Sequence, residues 1–257
     1  MHQIGKNRSI LGILGGLGPL SSAYFYELIT KRTAAARDQE HIDIILSSRA
    51  TTPDRTDFIL GKSDEDPLPY MIEDAKLLEK YGADAIVIPC NTAHYFIEEV
   101  RRAVSVPVPS IISETVAHIK RCGYKKSCIL ATEGTVSSGS YQKELEKEGI
   151  AWEIPNRDAQ EIITDIIYGD VKKGLVSPPE KLYSVAYPMF ESGCECAILG
   201  CTELSVLKSG FPQDTRFVDS LEVLAWCAIR LFGHTPAGFT PDFKAEETAS
   251  NLIAAKK

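Results

Sequence analysis

Two stretches, AIVIPCNTAH (residues 85–94) and AILGCTEL (residues 197–204), decide how this chain is expected to fold. In each one a short apolar run of the β type is followed, after one residue, by a cysteine and then by sequence that suits a helix. A strand that stops near Cys90 or Cys201 and leads into a helix exposes the sulfur close to the positive end of the helix dipole, which favours the thiolate. Two such thiols that face each other can take a proton from one face of a carbon and return it to the opposite face.

The order of elements around the two cysteines repeats along the chain. Short apolar runs rich in β-forming residues alternate with longer helical patterns, which is typical of βα units around mainly parallel sheets. Leu14, at the end of the first predicted strand, precedes Cys90 by nearly as many residues as Leu130 precedes Cys201. The sequence therefore predicts an α/β fold of two pseudo-symmetric lobes related by duplication, each a mainly parallel sheet flanked by helices.

The predicted strands set the limits of the two lobes. We expect these strands at residues 9–14, 43–48, 84–89, 127–132, 151–155 and 195–200. The run RFVDSL (residues 216–221) resembles a strand that returns to the first lobe, followed by its helix. The predicted division is a first lobe of residues 1–115 with 216–232, a second lobe of residues 116–215, and a C-terminal appendage of residues 233–257. Because ligands bind beyond the carboxyl ends of parallel strands, we expect the active site in the cleft between the lobes, with both cysteines facing it.

The composition is that of an ordinary enzyme and argues against several classes of protein. The 257 residues are 44% hydrophobic and 25% charged, enough to fill one large core or two medium ones. A net charge of −7 argues against a nucleic acid or an anionic membrane as the main partner. The sequence has no apolar run of membrane-spanning length and no signal-peptide pattern, and its seven cysteines do not suggest a disulfide framework. We therefore expect reduced thiols and a cytoplasmic protein.

The glycine-rich stretch GILGGLGPL (residues 12–20) follows a predicted strand and precedes a predicted helix, as a dinucleotide-binding loop would. It does not satisfy the pattern G-x-G-x-x-G, because Ser21 stands where the last glycine is required, and no G-K-[ST] step follows. The stretch is thus better explained as a tight strand-to-helix turn than as a site for a nucleotide cofactor.

Several separate motifs together resemble those of one enzyme family. Over residues 8–232 the chain is similar to the cofactor-independent aspartate/glutamate racemase superfamily, and within it most closely to the aspartate racemases. The motifs, in chain order, are GILGGLGPL (12–20), RDQEH (37–41), PDRT (53–56), PCNTAH (89–94), ATEGT (131–135), IYGDVKKG (167–174) and GCTE (200–203). Glutamate racemases usually open with Asp-Ser-Gly and carry His after the second Cys-Thr pair, whereas this chain has GGLGP and Glu203. This departure favours the aspartate branch.

The resemblance implies an activity and a set of site residues. It implies that L- and D-aspartate are interconverted without a cofactor by a homodimer, with Cys90 and Cys201 as the catalytic acid and base. The glycine loop, including Gly16, is implied to line the substrate pocket. Recognition of the substrate's side-chain carboxylate maps onto Arg55 and Lys172, one from each lobe.

Two cysteines suit this chemistry for a physical reason. Removal of an α-proton without a cofactor leaves a carbanion that only the carboxylate delocalises, so the site must add electrostatic stabilisation and exclude water. Because an ordinary thiol has a pKa of about 8.5, one cysteine has to be a thiolate while the other stays protonated. A single base would return the proton to the face it came from.

Polar residues after the strand ends are candidates for holding the substrate. The α-carboxylate needs neutral donors close to the sulfurs, and the candidates are Asn91, Thr92, Thr132, Thr135 and Thr202. Hydroxyls after strands are also common helix caps, and this alternative stays open for Thr132 and Thr135.

Other polar residues near the strand ends have alternative interpretations. Either Glu133 or Glu203 is placed to receive the substrate ammonium. His94 either tunes the Cys90 thiolate or satisfies local hydrogen bonds. Cys194 and Cys196 are expected in the core, because no paired histidines accompany them as metal ligands.

Other functions stay open from the sequence. A glutamate racemase, or another cysteine-dependent isomerase or decarboxylase of dicarboxylic acids, would use the same residues, although two intact cysteines favour two-base chemistry. A non-catalytic binding protein for small acids belongs to a different class, and the loss of either cysteine would have supported it. In each case the expected ligand is a small dicarboxylic acid.

Overall fold

The structure is a computed structural model that describes residues 9–210, 214–240 and 243. The strands of its first sheet are β1 (Ile10–Gly15), β2 (Asp43–Ser48) and β3 (Ala85–Val87), and they run parallel in the order β2-β1-β3. The helices around this sheet are α1 (Pro19–Arg32), α2 (Arg55–Ile59), α3 (Leu68–Lys80) and α4 (Ile97–Ala103), with 3₁₀ helices at Asp38–Glu40 and Thr92–Phe96.

The second sheet has four parallel strands. They are β4 (Lys126–Ala131), β5 (Ala151–Glu153), β6 (Cys196–Gly200) and β7 (Phe217–Asp219), in the order β5-β4-β6-β7. The helices of this half are α5 (Ile111–Cys122), α6 (Glu133–Ser138), α7 (Ser140–Lys147), α8 (Arg157–Thr164), α9 (Pro179–Glu191), α10 (Thr202–Lys208) and α11 (Ser220–Leu231). A π-helical turn, Asp165–Asp170, and a 3₁₀ turn, Val171–Lys173, follow α8.

The predicted fold class is confirmed, because two parallel sheets flanked by helices make up the molecule. The order of the first three strands, β2-β1-β3, is repeated by β5-β4-β6 in the second sheet. β3 and β6 therefore occupy equivalent places, and the two cysteines follow equivalent strands. Both strands are completely buried, as expected of parallel strands that have helices on both faces.

One part of the predicted division into lobes is wrong. β7 does not return to the first sheet; it pairs in parallel with β6, with Val218 opposite Ile198. The physical reason is that β6 is buried, and the backbone groups on its free edge need hydrogen-bond partners, which β7 supplies. The helix after β7 does pack against the first lobe, since Leu224 of α11 shares a core cluster with Leu11 and Phe25.

Other predicted limits also differ from the structure. The predicted boundary at residues 115 and 116 falls inside α5. Residues 104–110 form no regular element, because Pro107 and Pro109 have no N–H to donate to a sheet. In the appendage Pro236 makes an isolated bridge with Thr33, and nearly all of residues 241–257 lie outside the described part of the chain.

All seven cysteines lie in described parts of the chain, and none of them forms a disulfide. Within the described ranges no helix is long and apolar enough to cross a membrane.

The first β–α turn requires glycine at position 16. Gly16 has a φ of 81°, and a Cβ built on it would lie 2.3 Å from the backbone nitrogen of Arg49. The Gly16 N–H donates to Ser22 Oγ at 3.0 Å. A residue with a side chain would be strained by the positive φ and would also collide with the backbone that follows β2.

We expect Gly16→Ala to lower the free energy of unfolding by about 3 kcal/mol, the combined cost of a left-handed backbone and an overpacked contact. Urea denaturation at pH 7 measures it. Gly61→Ala is the matched control, because Gly61 has a similar φ of 67° but a Cβ built on it would have no neighbour within 4 Å. It should cost only about 1 kcal/mol. Equal losses in the two variants would contradict the role of the Arg49 contact.

Candidate active site

Cys201 lies at the carboxyl end of β6 and is the N-cap residue of α10. Its thiol is buried and donates to Glu203 Oε2 at 2.9 Å. Burial, followed by the charge of Glu203, raises the pKa of Cys201 well above its ordinary value. The helix terminus alone predicted a thiolate, but the surroundings of this thiol keep it protonated.

Cys90 lies just beyond β3, at the start of a loop that leads into a 3₁₀ helix rather than directly into an α-helix. His94 holds this loop, since its Nδ1 donates to the carbonyl of Cys90 at 2.8 Å while its Nε2 accepts the Ile111 N–H at 3.0 Å. Burial lowers the pKa of His94 to about 4, so the ring is neutral. Both ring nitrogens are bonded to backbone groups, and His94 therefore supports the loop instead of tuning the thiol.

Both cysteines line one narrow cavity between the lobes. The predicted residues that join them there are Arg55, Asn91, Thr92, Thr132, Lys172 and Thr202. Of the other two predicted binding residues, Gly16 lines an adjoining outer cavity of about 760 Å³, and Thr135 lines neither. Arg55, Lys172 and Glu203 border both cavities and so stand at the mouth of the inner one.

Three threonine hydroxyls form a closed triangle across the two lobes. Thr92 Oγ1 lies 3.0 Å from Thr132 Oγ1 and 2.8 Å from Thr135 Oγ1, and the latter two atoms are 3.0 Å apart. Thr132 is also the N-cap of α6, because its hydroxyl accepts the Thr135 N–H at 3.1 Å. Thr132 therefore caps a helix and also lines the cavity, and its role in substrate binding stays a prediction.

Arg55 is a buried cation without an acidic partner in the described part of the chain. Its Nη2 donates to the carbonyl of Leu17 at 2.7 Å, and its Nη1 donates to the carbonyls of Pro53 and Thr52 at 3.0 and 3.3 Å. Its Nε is buried and has no hydrogen-bond partner among the described residues. The structure thus places a buried guanidinium beside the cavity, and its predicted role in binding a carboxylate stays a prediction.

Lys172 reaches the mouth of the cavity from the other lobe. Its Nζ lies 3.8 Å from Asp54 Oδ2 and 4.0 Å from the centre of the Tyr168 ring. Burial alone would lower the pKa of Lys172, but the acidic groups around it, Glu203 first, raise that pKa above its ordinary value. The lysine is therefore charged, and it follows an irregular π-helical turn of the kind often found at functional sites.

The two glutamates proposed for the substrate ammonium have different surroundings. Glu203 is buried, lines both cavities and accepts hydrogen bonds from the Cys201 and Thr202 side chains. The side chain of Glu133 is 46% exposed and pairs with Lys62 at 3.5 Å. Of these two carboxylates, only that of Glu203 borders the cavity.

The structure adds residues that the sequence interpretation missed. Asp54 caps α2 and presents its second oxygen to Lys172. Tyr168 lines the cavity and donates to Thr56 Oγ1 at 3.0 Å, which joins the two lobes. Both had a signal in the sequence, since Asp54 precedes Arg55 in PDRT and Tyr168 lies one helical turn before Lys172.

The described residues contain no group of three or more His, Cys, Asp and Glu side chains that could hold a metal ion. Cys194 and Cys196 are buried and belong to two different core clusters, so they do not converge on one site.

Comparison with known sequences identifies relatives over most of the chain. A family model described as Asp/Glu/Hydantoin racemase matches residues 14–228. The broad specificity amino-acid racemase of Bacillus subtilis (strain 168) is 30% identical over 222 residues, which cover 84% of this chain and 95% of that protein. The glutamate racemase of Aquifex pyrophilus is 30% identical over 171 residues, 64% of this chain and 65% of that protein.

Solved structures share the fold. Picrophilus torridus aspartate racemase superposes with a TM-score of 0.78 and 30% identity, over 89% of this chain and 96% of that one. An aspartate racemase homologue from Pyrococcus horikoshii OT3 gives a TM-score of 0.71 and 28% identity, over 88% and 100% of the two chains. The resemblance predicted from the motifs is confirmed, and this chain belongs to the Asp/Glu/hydantoin racemase family.

Proposed function

We propose that this protein interconverts L- and D-aspartate by a two-base reaction in which Cys90 and Cys201 exchange a proton with the α-carbon. The observation that carries the proposal is one cavity between the lobes that is lined by both thiols and by the two cations Arg55 and Lys172. Proton transfer at both faces is supplied by the two thiols, so the reaction needs no cofactor.

The two thiols are not equivalent before substrate binds. The Cys201 thiol donates to Glu203 and has a raised pKa, so it is the protonated acid of the pair. In the direction of racemisation that starts from this state, Cys90 acts as the base that removes the α-proton, and Cys201 protonates the opposite face of the α-carbon. After one turnover the proton has moved from one sulfur to the other, and the reverse direction exchanges the roles.

The groups around the sulfurs match the three charged groups of aspartate. Thr92, Thr132 and Thr202 line the cavity, and a hydroxyl that turns away from its present partner, another threonine or Glu203, can donate to the α-carboxylate. Arg55 and Lys172 at the mouth are positioned for the β-carboxylate. The buried Glu203 carboxylate borders the same space and is the acceptor for the ammonium. Closing this site around the substrate excludes water and strengthens the stabilisation of the carbanion.

Aspartate is proposed over glutamate because this chain carries GGLGP in its first turn and Glu203 after the second Cys-Thr pair, where glutamate racemases usually carry Asp-Ser-Gly and His. The aspartate racemase of Picrophilus torridus, which is 30% identical to this chain, supports the same choice. The relatives include a broad specificity amino-acid racemase and a glutamate racemase, which makes the choice of substrate the point to test. Pure protein is incubated with L-Asp, D-Asp and L-Glu without cofactor, and chirality is followed with time. Faster conversion of L-Glu than of L-Asp would overturn the assignment to aspartate.

We expect Cys90→Ala and Cys201→Ala each to lower kcat by about 1000-fold or more, because each removes the acid or base for one face. Dicarboxylate binding, measured by calorimetry, should fall far less. Cys122→Ala, which removes a half-buried thiol at the end of α5, is the matched control and should racemise normally. In D₂O the product should carry deuterium at Cα. A single variant with activity near wild type, or full retention of the original hydrogen, would contradict the two-thiol reaction.

We expect Arg55→Ala and Lys172→Ala to lower kcat/KM for aspartate by about 30- to 1000-fold, equivalent to about 2–4 kcal/mol for a buried carboxylate left without its partner. Poor turnover of alanine should change little, because alanine has no β-carboxylate. Lys62→Ala removes an exposed lysine and serves as the control. An equal loss for aspartate and alanine would show that these cations act on folding or on the α-carboxylate. Unchanged kinetics in both variants would remove the case for aspartate.

A further inference from the structure

A chain of buried hydrogen bonds connects the residue next to Cys90 with the strand that leads to the second cysteine. Tyr141 Oη donates to Asn91 Oδ1 at 2.7 Å, and Asn91 Nδ2 donates to Ser220 Oγ at 3.0 Å. Ser220 Oγ in turn donates to the carbonyl of Leu199 in β6 at 2.7 Å. Tyr141 and Ser220 are fully buried, and neither lines the cavity. They therefore do not touch the substrate and can act only through Asn91 and the backbone.

The direction of each bond in this chain follows from the chemistry of its last acceptor. The Leu199 carbonyl can only accept, so Ser220 has to give it the single hydroxyl proton and receive its own hydrogen bond from Asn91. The amide of Asn91 must then turn its nitrogen towards Ser220 and its oxygen towards Tyr141. Burial raises the pKa of Tyr141, so the phenol keeps the proton that it donates. Asn91 therefore has one orientation, held at both ends.

The Tyr141 ring also touches the backbone beside the second thiol. A Cβ built on Gly200 would lie 3.1 Å from Tyr141 Cε2, so the ring packs directly against the residue before Cys201. The same side chain thus bonds to Asn91, which follows Cys90, and packs against Gly200, which precedes Cys201. Because α7 carries Tyr141 and α11 carries Ser220, two helices outside the cavity fix the position of one cysteine relative to the other.

We propose that Tyr141 and Ser220 are positioning residues that act through Asn91 to hold the Cys90 and Cys201 thiols on opposite faces of the substrate α-carbon. The proposal rests on the two-thiol function proposed above. A two-base reaction needs both sulfurs within reach of the same carbon at once, and a displacement of about 1 Å can cost about 100-fold in rate. The cations proposed to bind the β-carboxylate stand at the mouth of the cavity, away from these hydrogen bonds. Substrate binding should therefore be preserved when one of these hydrogen bonds is removed.

The first test is the kinetics of Tyr141→Phe and Ser220→Ala. Each should lower kcat about 10- to 100-fold in both directions, with KM for aspartate within about threefold of wild type. Ser127→Ala is the matched control, because Ser127 is a fully buried hydroxyl at the amino end of β4, away from the cavity. It should keep wild-type kcat. Circular dichroism and thermal melting of each variant at pH 7 show whether it is folded at the assay temperature.

The second test is a double-mutant cycle with Asn91. If the phenol acts through the amide, adding Tyr141→Phe to Asn91→Ala should lower kcat by less than about twofold further. Fully additive losses of kcat in the double variant would overturn the positioning role. A raised KM with an unchanged kcat would overturn it as well. So would a kcat near wild type in both single variants of an active enzyme. A wild-type protein that racemises none of the tested amino acids would instead overturn the proposed function, and the positioning role with it.

Discussion

The site depends on the burial of the Arg55 guanidinium without a carboxylate to balance it. Burying an unpaired cation costs several kcal/mol unless fixed dipoles replace the lost water. Here the carbonyls of Leu17, Thr52 and Pro53 supply those dipoles, and so the glycine turn after β1 and the loop after β2 must both direct carbonyl oxygens inward. The cap of α2 by Asp54 holds the second loop in that position. These bonds hold the guanidinium beside the cavity, while its Nε has no hydrogen-bond partner among the described residues.

The two lobes are joined differently at the base and at the mouth of the cavity. At the base, Asn91 and Thr92 of the first lobe make short, buried hydrogen bonds with Tyr141 and Thr132 of the second. At the mouth, the Lys172 ammonium lies 3.8 Å from Asp54 in a partly exposed ion pair, which is worth little in water. A substrate carboxylate can therefore replace the mouth contact at small cost, while the contacts at the base keep the two thiols in place. The substrate is expected to enter and leave at the mouth.

The sequence predicted the positions that local motifs determine, but not those that long-range packing determines. Cys90 and Cys201 follow from strand ends, and Arg55 and Lys172 follow from motifs, so all four could be placed in one cleft. The pairing of β7 with β6 could not be predicted, because a short apolar strand has the same pattern at the edge of either sheet. The sequence required one protonated thiol but could not show that it is Cys201, since this depends on how deeply the folded chain buries the thiol beside Glu203.

The thiol of Cys201 is subject to two opposing effects, and their sizes decide its state. The N-terminus of α10 stabilises a thiolate by about 2 kcal/mol at most, because the effect of a helix dipole is confined to the first turn. Burial and a carboxylate oxygen 2.9 Å away both oppose ionisation, and in a buried site these effects outweigh the dipole. In the proposed reaction the substrate ammonium neutralises Glu203, so the carboxylate no longer opposes ionisation of the thiol. The substrate would thereby lower the pKa of Cys201, so that this sulfur could give up its proton during the reaction.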